Sequence, residues 1–114
     1  MRSWKLREIE TPSGSRSPVV VHSGPEGRAV LIGLEPGQQL GDHQVKEHAF
    51  VVVVEGTARI KAGDDELEAD AGTLVAFEPD ERRVVSSDGG AKLLLLLAPW
   101  PGEGHYRGSP PGLG

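Results

Sequence analysis

Residues 37–56 read GQQLGDHQVKEHAFVVVVEG. A glycine stands at each end, two histidines lie in the middle, and an uninterrupted apolar run follows at residues 49–54. Valine and phenylalanine suit the pleated surface of a strand, and a glycine beside such a run is typical of a turn or a bulge. The stretch therefore predicts a buried β-strand that follows a polar loop carrying imidazole groups.

The rest of the chain has a similar pattern of short apolar segments. Sixteen glycines and nine prolines are spread over 114 residues and separate these segments, which is typical of many strands joined by turns. No segment shows a sustained apolar face at helical spacing, so we expect an all-β sandwich or barrel with almost no helix. The predicted strands cover residues 18–22, 28–34, 41–45, 49–55, 57–62, 66–69, 73–77, 83–86 and 92–98.

Two of the predicted strands, at residues 49–54 and 93–97, are apolar on both faces. Successive side chains of a strand point to opposite sides, so an antiparallel strand with one solvated face should alternate in polarity. Both faces of these two strands must therefore be covered. Either the N-terminal segment with Trp4 and Leu6 folds over them or a second copy of the chain does, and we favour a homodimer.

The composition excludes several classes of protein. The chain has no cysteine, which rules out thiol nucleophiles, cysteine-bound zinc and disulfides, and agrees with a reducing compartment. A net charge of −5 with scattered Lys and Arg argues against a nucleic-acid partner. There is no apolar core of a signal peptide, and no stretch approaches the roughly 20 apolar residues that span a bilayer. We expect a cytoplasmic protein with no membrane partner.

The opening stretch resembles the first motif of the cupin superfamily, G-x5-H-x-H-x3-E-x6-G, and residues 72–87 resemble the second, G-x5-P-x-G-x2-H-x3-N. Gly37, His43 and Gly56 fall in register with the first motif, and Gly72 opens the second. The resemblance implies a cupin-type jelly roll, which is also called a double-stranded β-helix barrel. It divides the chain into an N-terminal arm or edge strand (1–17), the barrel (18–98) and a Pro/Gly-rich C-terminal tail (99–114).

The positions that bind metal in cupins are largely changed in this sequence. In the family, three histidines and one glutamate from the two motifs usually hold a divalent metal. Here Val45 stands at the second histidine position, Ala49 at the glutamate position and Arg83 at the third histidine position, which leaves His43. Valine and alanine offer no lone pair, and arginine repels a cation, whereas a catalytic metal needs about three protein ligands. We therefore expect no cofactor at the usual cupin site.

A metal site of different composition stays open at this point. Glu47 lies four residues from His43, and a further histidine, His48 or His105, would complete a set of three ligands. Such a set suits a divalent metal such as Zn, Fe, Mn or Ni. The protein would then be a metal-dependent isomerase, decarboxylase or dioxygenase of the kind found in the family.

Strand parity predicts a pocket inside the barrel. It consists of small aliphatic side chains and two polar groups, contributed by His43, Val45, Ala49, Val51, Val53 and Arg83. Concave apolar cavities with a few polar groups are typical of small-molecule sites, and an arginine binds a carboxylate or phosphate through two N–H groups. We favour a protein that binds a small anionic or carbonyl compound.

A competing interpretation applies to Arg83. It would point outward, or form an ordinary salt bridge with one of three nearby carboxylates, those of Asp42, Glu47 and Glu81. A jelly roll hosts many unrelated activities, so the sequence does not decide whether the protein is an enzyme.

Overall fold

The computed structural model describes residues 1–11, 18–43 and 45–102, of which residues 41–43 are described by their backbone alone. These residues form a three-residue 3-10 helix, Leu6–Glu8, and eight strands. The strands are β1 (Val19–Gly24), β2 (Gly27–Leu34), β3 (Gln39–His43), β4 (His48–Ala62), β5 (Asp65–Asp70), β6 (Leu74–Phe77), β7 (Arg83–Ser86) and β8 (Ala91–Ala98). No helix in these ranges is long and apolar enough to cross a membrane. The predicted all-β architecture with almost no helix is confirmed.

All strand pairs are antiparallel, and they form two sheets that share β4. One sheet has the order β1-β2-β8-β4-β6, and the other has the order β3-β7-β4-β5. The two sheets curl around one interior as a half-barrel. Strands from distant parts of the chain, such as β2 and β8, are neighbours in this arrangement.

β4 is one strand of 15 residues, His48–Ala62, where the sequence predicts two strands separated by Gly56. The prediction of a break is wrong because Gly56 takes a φ of 77° and the register shifts between Val53 and Glu55, so the chain bends without leaving the ladder. The first part of β4 pairs with β6 and β8, and the second part pairs with β5 and β7. This bend carries β4 from one sheet into the other.

The side chains that point inward from both sheets form one core. Ala49, Val51 and Val53 of β4 are all buried, as strand parity predicts. Burying an aliphatic side chain of valine or leucine size stabilises the fold by about 1.5–3 kcal/mol. The buried cluster contains Leu34, Ala49, Val51, Val53, Ala58, Ile60, Ala69, Phe77, Val85, Leu93 and Leu97.

The outer face of the larger sheet is also apolar, and the N-terminal arm lies against it. Leu31 faces outward from β2, since its neighbours in the strand point into the barrel, yet it is completely buried. Lys92 of β8 donates hydrogen bonds from Nζ to the backbone carbonyls of Leu6, Arg7 and Ile9, at 3.4, 3.0 and 2.7 Å. The sequence predicts that either the N-terminal segment or a second copy of the chain packs on the strands that are apolar on both faces. In the structure the N-terminal segment packs there.

The far end of the arm contacts the edge strand of the same sheet. The ring of Trp4 lies 5.9 Å from the ring of His22 in β1, and Arg2 is 3.2 Å from His22 Nδ1. The second ring nitrogen of His22 lies 2.6 Å from a carboxylate oxygen of Glu26. This hydrogen bond with His22 is the main reason why the pKa of Glu26 is lowered. The arm is thus held at the central strand β8 and at the edge strand β1.

Lys92 is the residue whose loss should release the arm. In a Lys92→Met variant we expect the free energy of unfolding to fall by about 1–3 kcal/mol, because three backbone carbonyls, two of them in half-buried contacts, lose a charged donor. Backbone amides of the arm should then exchange with solvent faster than in the wild-type protein. Hydrogen exchange and urea unfolding measure the two effects, with Lys61→Met on the exposed face of β4 as the matched control. Unchanged exchange in the arm would contradict this role of Lys92.

Candidate ligand-binding site

A cavity of about 250 Å³ lies between the two sheets. Its walls are aliphatic side chains from five strands, among them Val30, Ile32, Leu40, Val51, Leu93 and Leu95, and Arg83 also lines it. The alternation of each strand brings every second side chain to this space. The cavity is therefore the part of the barrel interior that the core does not fill.

Arg83 is the charged residue among the described residues that line this cavity. It is the first residue of β7, and the alternation of β7 turns both Arg83 and Val85 inward, so Arg83 is only 4% exposed. Its guanidinium lies over the ring of Phe77, 4.9 Å from the ring centroid. Its Nη1 is buried and has no hydrogen-bond partner among the described residues. A buried donor without a partner is uncommon, because it costs about 1–3 kcal/mol relative to a paired one.

The electrostatics of Arg83 follow from its burial. Removal from water disfavours the charged form and lowers the pKa of the Arg83 guanidinium, while the negative charge of Glu81 offsets part of this shift. An arginine remains protonated at neutral pH even so. The described lining of the cavity therefore holds one positive charge within an apolar wall.

The competing interpretation of Arg83 finds no support among the described residues. The side chain points inward, and no carboxylate among the described side chains lies within ion-pair distance of it. Glu81 accepts a hydrogen bond from the backbone N–H of Glu78 instead, and Glu47 is engaged elsewhere. The side chain of Asp42 lies outside the described residues.

The other predicted pocket residues are distributed between the cavity and the core. Val51 lines the cavity together with Arg83, whereas Ala49 and Val53 are completely buried in the packed core. Val45 is half-buried and packs against that core. The backbone of His43 pairs with that of Arg83 where β3 meets β7, but the side chain of His43 lies outside the described residues.

The sequence alone does not single out the other residues that line the cavity. Leu93 and Leu95 belong to a recognised apolar run, and Val30 and Ile32 belong to a predicted strand. Parity indicates that they point inward, but it does not distinguish a packed position from one beside a void. The feature that could indicate these wall residues is the register that places the apolar residues of β2 and β8 beside Val51.

Glu47 has a structural contact that the sequence does not indicate. The residue is 1% exposed, and its Oε2 accepts a hydrogen bond from the backbone N–H of Gly102 at 2.7 Å. Gly102 lies so close that a Cβ added there would be 3.1 Å from Glu47 Cγ. The buried carboxylate therefore anchors the segment that follows β8. The half-buried ring of Trp100 in that segment lies under the guanidinium of Arg28, 4.6 Å from its centroid.

The predicted alternative metal ligands do not converge in the described part of the chain. His48 is the first residue of β4, its side chain is 54% exposed, and its Nδ1 lies 3.7 Å from a carboxylate oxygen of Glu78. Glu47, next to it, is buried. Within the described ranges no group of three or more His, Asp or Glu residues is arranged to hold a metal ion. His105 lies outside the described residues.

The usual cupin metal does not fit the residues at the motif positions. Val45 and Ala49 offer no lone pair, and Arg83 places a buried positive charge at the third position. A divalent cation beside this guanidinium would be repelled strongly, since a low-dielectric interior screens charges poorly. The donor set that remains at these positions is too small for a first-row metal.

The Glu47 anchor can be tested by two substitutions. In Glu47→Leu the N–H of Gly102 loses its acceptor in a buried position, so we expect the free energy of unfolding to fall by about 1–3 kcal/mol. Glu47→Gln keeps an amide oxygen at the same place and should lose clearly less. Urea unfolding measures both, with Glu68→Leu on the exposed face of β5 as the control. A Gln variant as unstable as the Leu variant would mean that the negative charge itself is required.

Comparison with known proteins identifies the fold. No family model matches the sequence, and no curated protein is significantly similar to it. Solved structures are similar. An RmlC-like cupin protein from Desulfovibrio desulfuricans has a TM-score of 0.76 and 23% identity over 87% of this chain and 97% of that chain. A cupin superfamily protein from Desulfitobacterium hafniense has a TM-score of 0.74 and 12% identity over 82% and 86%.

A third similar structure is an uncharacterized protein with a double-stranded β-helix domain from Klebsiella pneumoniae. Its TM-score is 0.74, at 20% identity over 87% of this chain and 90% of that chain. Two antiparallel sheets that share a bent strand and enclose a cavity thus form a jelly roll. This jelly roll is a double-stranded β-helix like that of these cupin structures, and the resemblance seen in residues 37–56 and 72–87 is confirmed at the level of the fold.

Proposed function

We propose that this protein binds a small anionic or carbonyl-bearing organic molecule in the cavity that contains Arg83. The observation that carries the proposal is the buried Nη1 of Arg83, which lines an apolar cavity and has no partner among the described residues. A guanidinium presents its N–H groups in a planar fork that matches a carboxylate or phosphate. A ligand oxygen at this place would satisfy the donor and neutralise the charge.

The energetic argument favours a ligand over a purely structural role. Taking a charged group out of water costs several kcal/mol, and structural buried charges are normally paired. Phe77 provides a cation–π contact, but this interaction is worth about 0.5–2 kcal/mol and satisfies no N–H group. Within the described part of the chain no carboxylate pairs with the guanidinium of Arg83. A bound anion would supply this partner.

The alternative function is a metal-dependent enzyme, of the isomerase, decarboxylase or dioxygenase type, with His43 and Glu47 as ligands. It has weaker support, because Glu47 holds the N–H of Gly102 and His48 is exposed beside Glu78. Whether the protein catalyses a reaction stays open in either case.

The proposal is tested by screening for ligands with a matched variant. Small carboxylates, phosphates and carbonyl compounds are added singly, and the melting temperature of the wild-type protein is compared with that of Arg83→Met. We expect several anions to stabilise the wild-type protein and not the variant. If no compound stabilises the wild-type protein, or if Arg83→Met responds equally, the proposal fails.

A parallel measurement addresses the alternative. Elemental analysis is made of wild-type protein and His43→Ala, each incubated with Mn, Fe, Co, Ni or Zn and then desalted. Near-stoichiometric metal that is lost in His43→Ala would support the enzyme. Metal that is absent from both samples would support the binding protein.

The homodimer and the cytoplasmic location stay predictions. The dimer is supported by Phe50 and Leu96, which face outward from the larger sheet and line an apolar groove beside His22 of the edge strand β1. Apolar grooves of this kind are common at protein interfaces. Light scattering on a size-exclusion column measures the mass, and a monomer at all concentrations would refute the dimer.

A further inference from the structure

We infer that the molecule bound beside Arg83 is a monocarboxylate with an apolar body, such as a short fatty acid or an aryl acid, and not a phosphate ester or a sugar acid. This inference rests on the proposed function and names the chemical class of its ligand. Three properties of the cavity carry it: the polarity of its wall, the number of its charges and its size.

The wall restricts the body of the ligand. Apart from Arg83, the described side chains that line the cavity belong to valine, isoleucine, leucine and proline. None of these can donate or accept a hydrogen bond. Each hydroxyl group of a polyhydroxylated ligand would be buried without a partner, which weakens its binding. The wall therefore favours an aliphatic or aromatic body and disfavours sugars.

The charge of the cavity restricts the head group of the ligand. Arg83 is the cation among the described lining residues, and it supplies one positive charge. A phosphate monoester carries about −1.5 to −2 charges at pH 7, so part of its charge would remain uncompensated in an apolar interior. A carboxylate carries one negative charge. A monocarboxylate therefore balances the charge of the described lining residues.

The surroundings of the guanidinium set how the head group approaches. The ring of Phe77 lies against one face of the guanidinium, 4.9 Å from its carbon, so that face is closed. The buried Nη1 has no partner among the described residues. A carboxylate binds in the plane of a guanidinium through two parallel N–H···O bonds, and this approach leaves the contact with Phe77 intact. A neutral alcohol makes one weaker hydrogen bond at the same edge.

The size of the cavity restricts the length of the ligand. Its volume of about 250 Å³ lies below the about 300–1,000 Å³ that is typical of pockets for drug-sized ligands. A six-carbon chain or a benzene ring fits such a space, whereas a nucleotide or a membrane lipid does not. Leu95, a half-buried wall residue, is a position at which the space can be reduced without changing the charge.

The test compares four probes that share a six-carbon scaffold. Hexanoate is the reference, gluconate adds hydroxyl groups to the same acid, hexyl phosphate changes the head group, and 1-hexanol removes the charge. Isothermal titration calorimetry measures each Kd for the wild-type protein at fixed pH and ionic strength. We expect hexanoate to bind at least tenfold more tightly than each of the other three.

Matched variants show where hexanoate binds. Arg83→Met should weaken hexanoate binding at least tenfold, and Arg83→Lys, which keeps the charge but not the fork, should weaken it by a smaller factor. Arg82→Met removes a neighbouring exposed charge and should leave the Kd unchanged. Leu95→Phe should weaken hexanoate binding by reducing the space.

The outcomes separate the inference from the proposed function. If hexyl phosphate or gluconate binds as tightly as hexanoate and depends on Arg83, the assigned class is wrong while the proposed function stands. If none of the probes and no other small anion binds in an Arg83-dependent way, the proposed function fails and the inference fails with it. Binding of hexanoate that is equally strong in Arg83→Met would place it outside this cavity and would overturn the inference alone.

Discussion

The Arg83→Met variant is expected to be more stable than the wild-type protein by about 1–4 kcal/mol in the free energy of unfolding, although it loses ligand binding. Arg83 is 4% exposed, and its Nη1 has no partner among the described residues. Methionine removes the cost of burying this charge. It is unbranched and flexible, so it can fill part of the space beside Phe77. A residue whose removal raises stability fits a functional role better than a structural one.

Urea unfolding without ligand measures this change, and Arg82→Met serves as the control. The control removes the same charge from an exposed position, so its stability should differ from that of the wild-type protein by no more than about 0.5 kcal/mol. A loss of stability in Arg83→Met would show that the guanidinium has a pairing role in the unliganded fold. Such a result would contradict the interpretation that Arg83 is present in the cavity to bind a ligand.

The effect of pH on this contribution has a definite sign. Burial lowers the pKa of Arg83 below its ordinary value, so the unfolded chain binds the proton more tightly than the folded chain does. The destabilisation caused by burying the charged guanidinium is therefore present in full at neutral pH. This destabilisation decreases only as the pH rises through the alkaline range between the pKa of Arg83 in the folded chain and its pKa in the unfolded chain. The stability difference between wild-type protein and Arg83→Met should consequently be constant around neutrality.

Gly56→Ala is expected to destabilise the protein by about 2–5 kcal/mol, the largest loss that we predict for a single methyl group. Gly56 has a φ of 77°, and a Cβ added there would lie 2.2 Å from the backbone oxygen of Gly90. A backbone oxygen cannot rotate away as the end of a flexible side chain can. The bend of β4 and its pairing with β8 would both have to shift.

Gly37→Ala is the matched control for Gly56→Ala. Gly37 has a similar φ of 83°, but a Cβ added there meets no atom within 4 Å. Gly37→Ala should lower the free energy of unfolding by only about 1–2 kcal/mol, which is the cost of a left-handed backbone conformation for alanine. Urea unfolding of the two variants separates backbone strain from the clash. Equal losses would mean that the contact with Gly90 relaxes freely.

Much of the fold can be predicted from local signals in the sequence. Glycine and proline mark the ends of most strands, and the predicted strand at residues 83–86 matches β7 in both bounds. β3 is less well predicted, because it ends at His43, two residues before the expected Val45. The sequence between β3 and β4 is mostly polar and gives no alternating pattern. The error at Gly56 has a different cause, since a glycine that ends a strand and one that bends it look the same in sequence.

The candidate site is only partly visible in the sequence. The register of the second motif selects Arg83, because motif spacing fixes which residue of β7 occupies the inward position. The bond between Glu47 and Gly102 joins parts of the chain that no local pattern connects. The boundary between the cavity and the core depends on how well side chains from two sheets fill the space. Such packing is a property of the assembled molecule and has no signature at one position.

The shared strand β4 has a consequence for the order in which the molecule is assembled. β4 and β5 form a local hairpin, whereas the pairing of β2 with β8 joins opposite ends of the chain. Pairings that close long loops slow folding, and all-β domains rich in them typically need about milliseconds to seconds. We expect the hairpin to form early and β8 to dock late, and φ-value analysis at Ile60 and Leu93 would reveal the reverse order if it occurred. The cavity would then close only in the final stage of folding. The guanidinium of Arg83 would lose its contact with water at that stage.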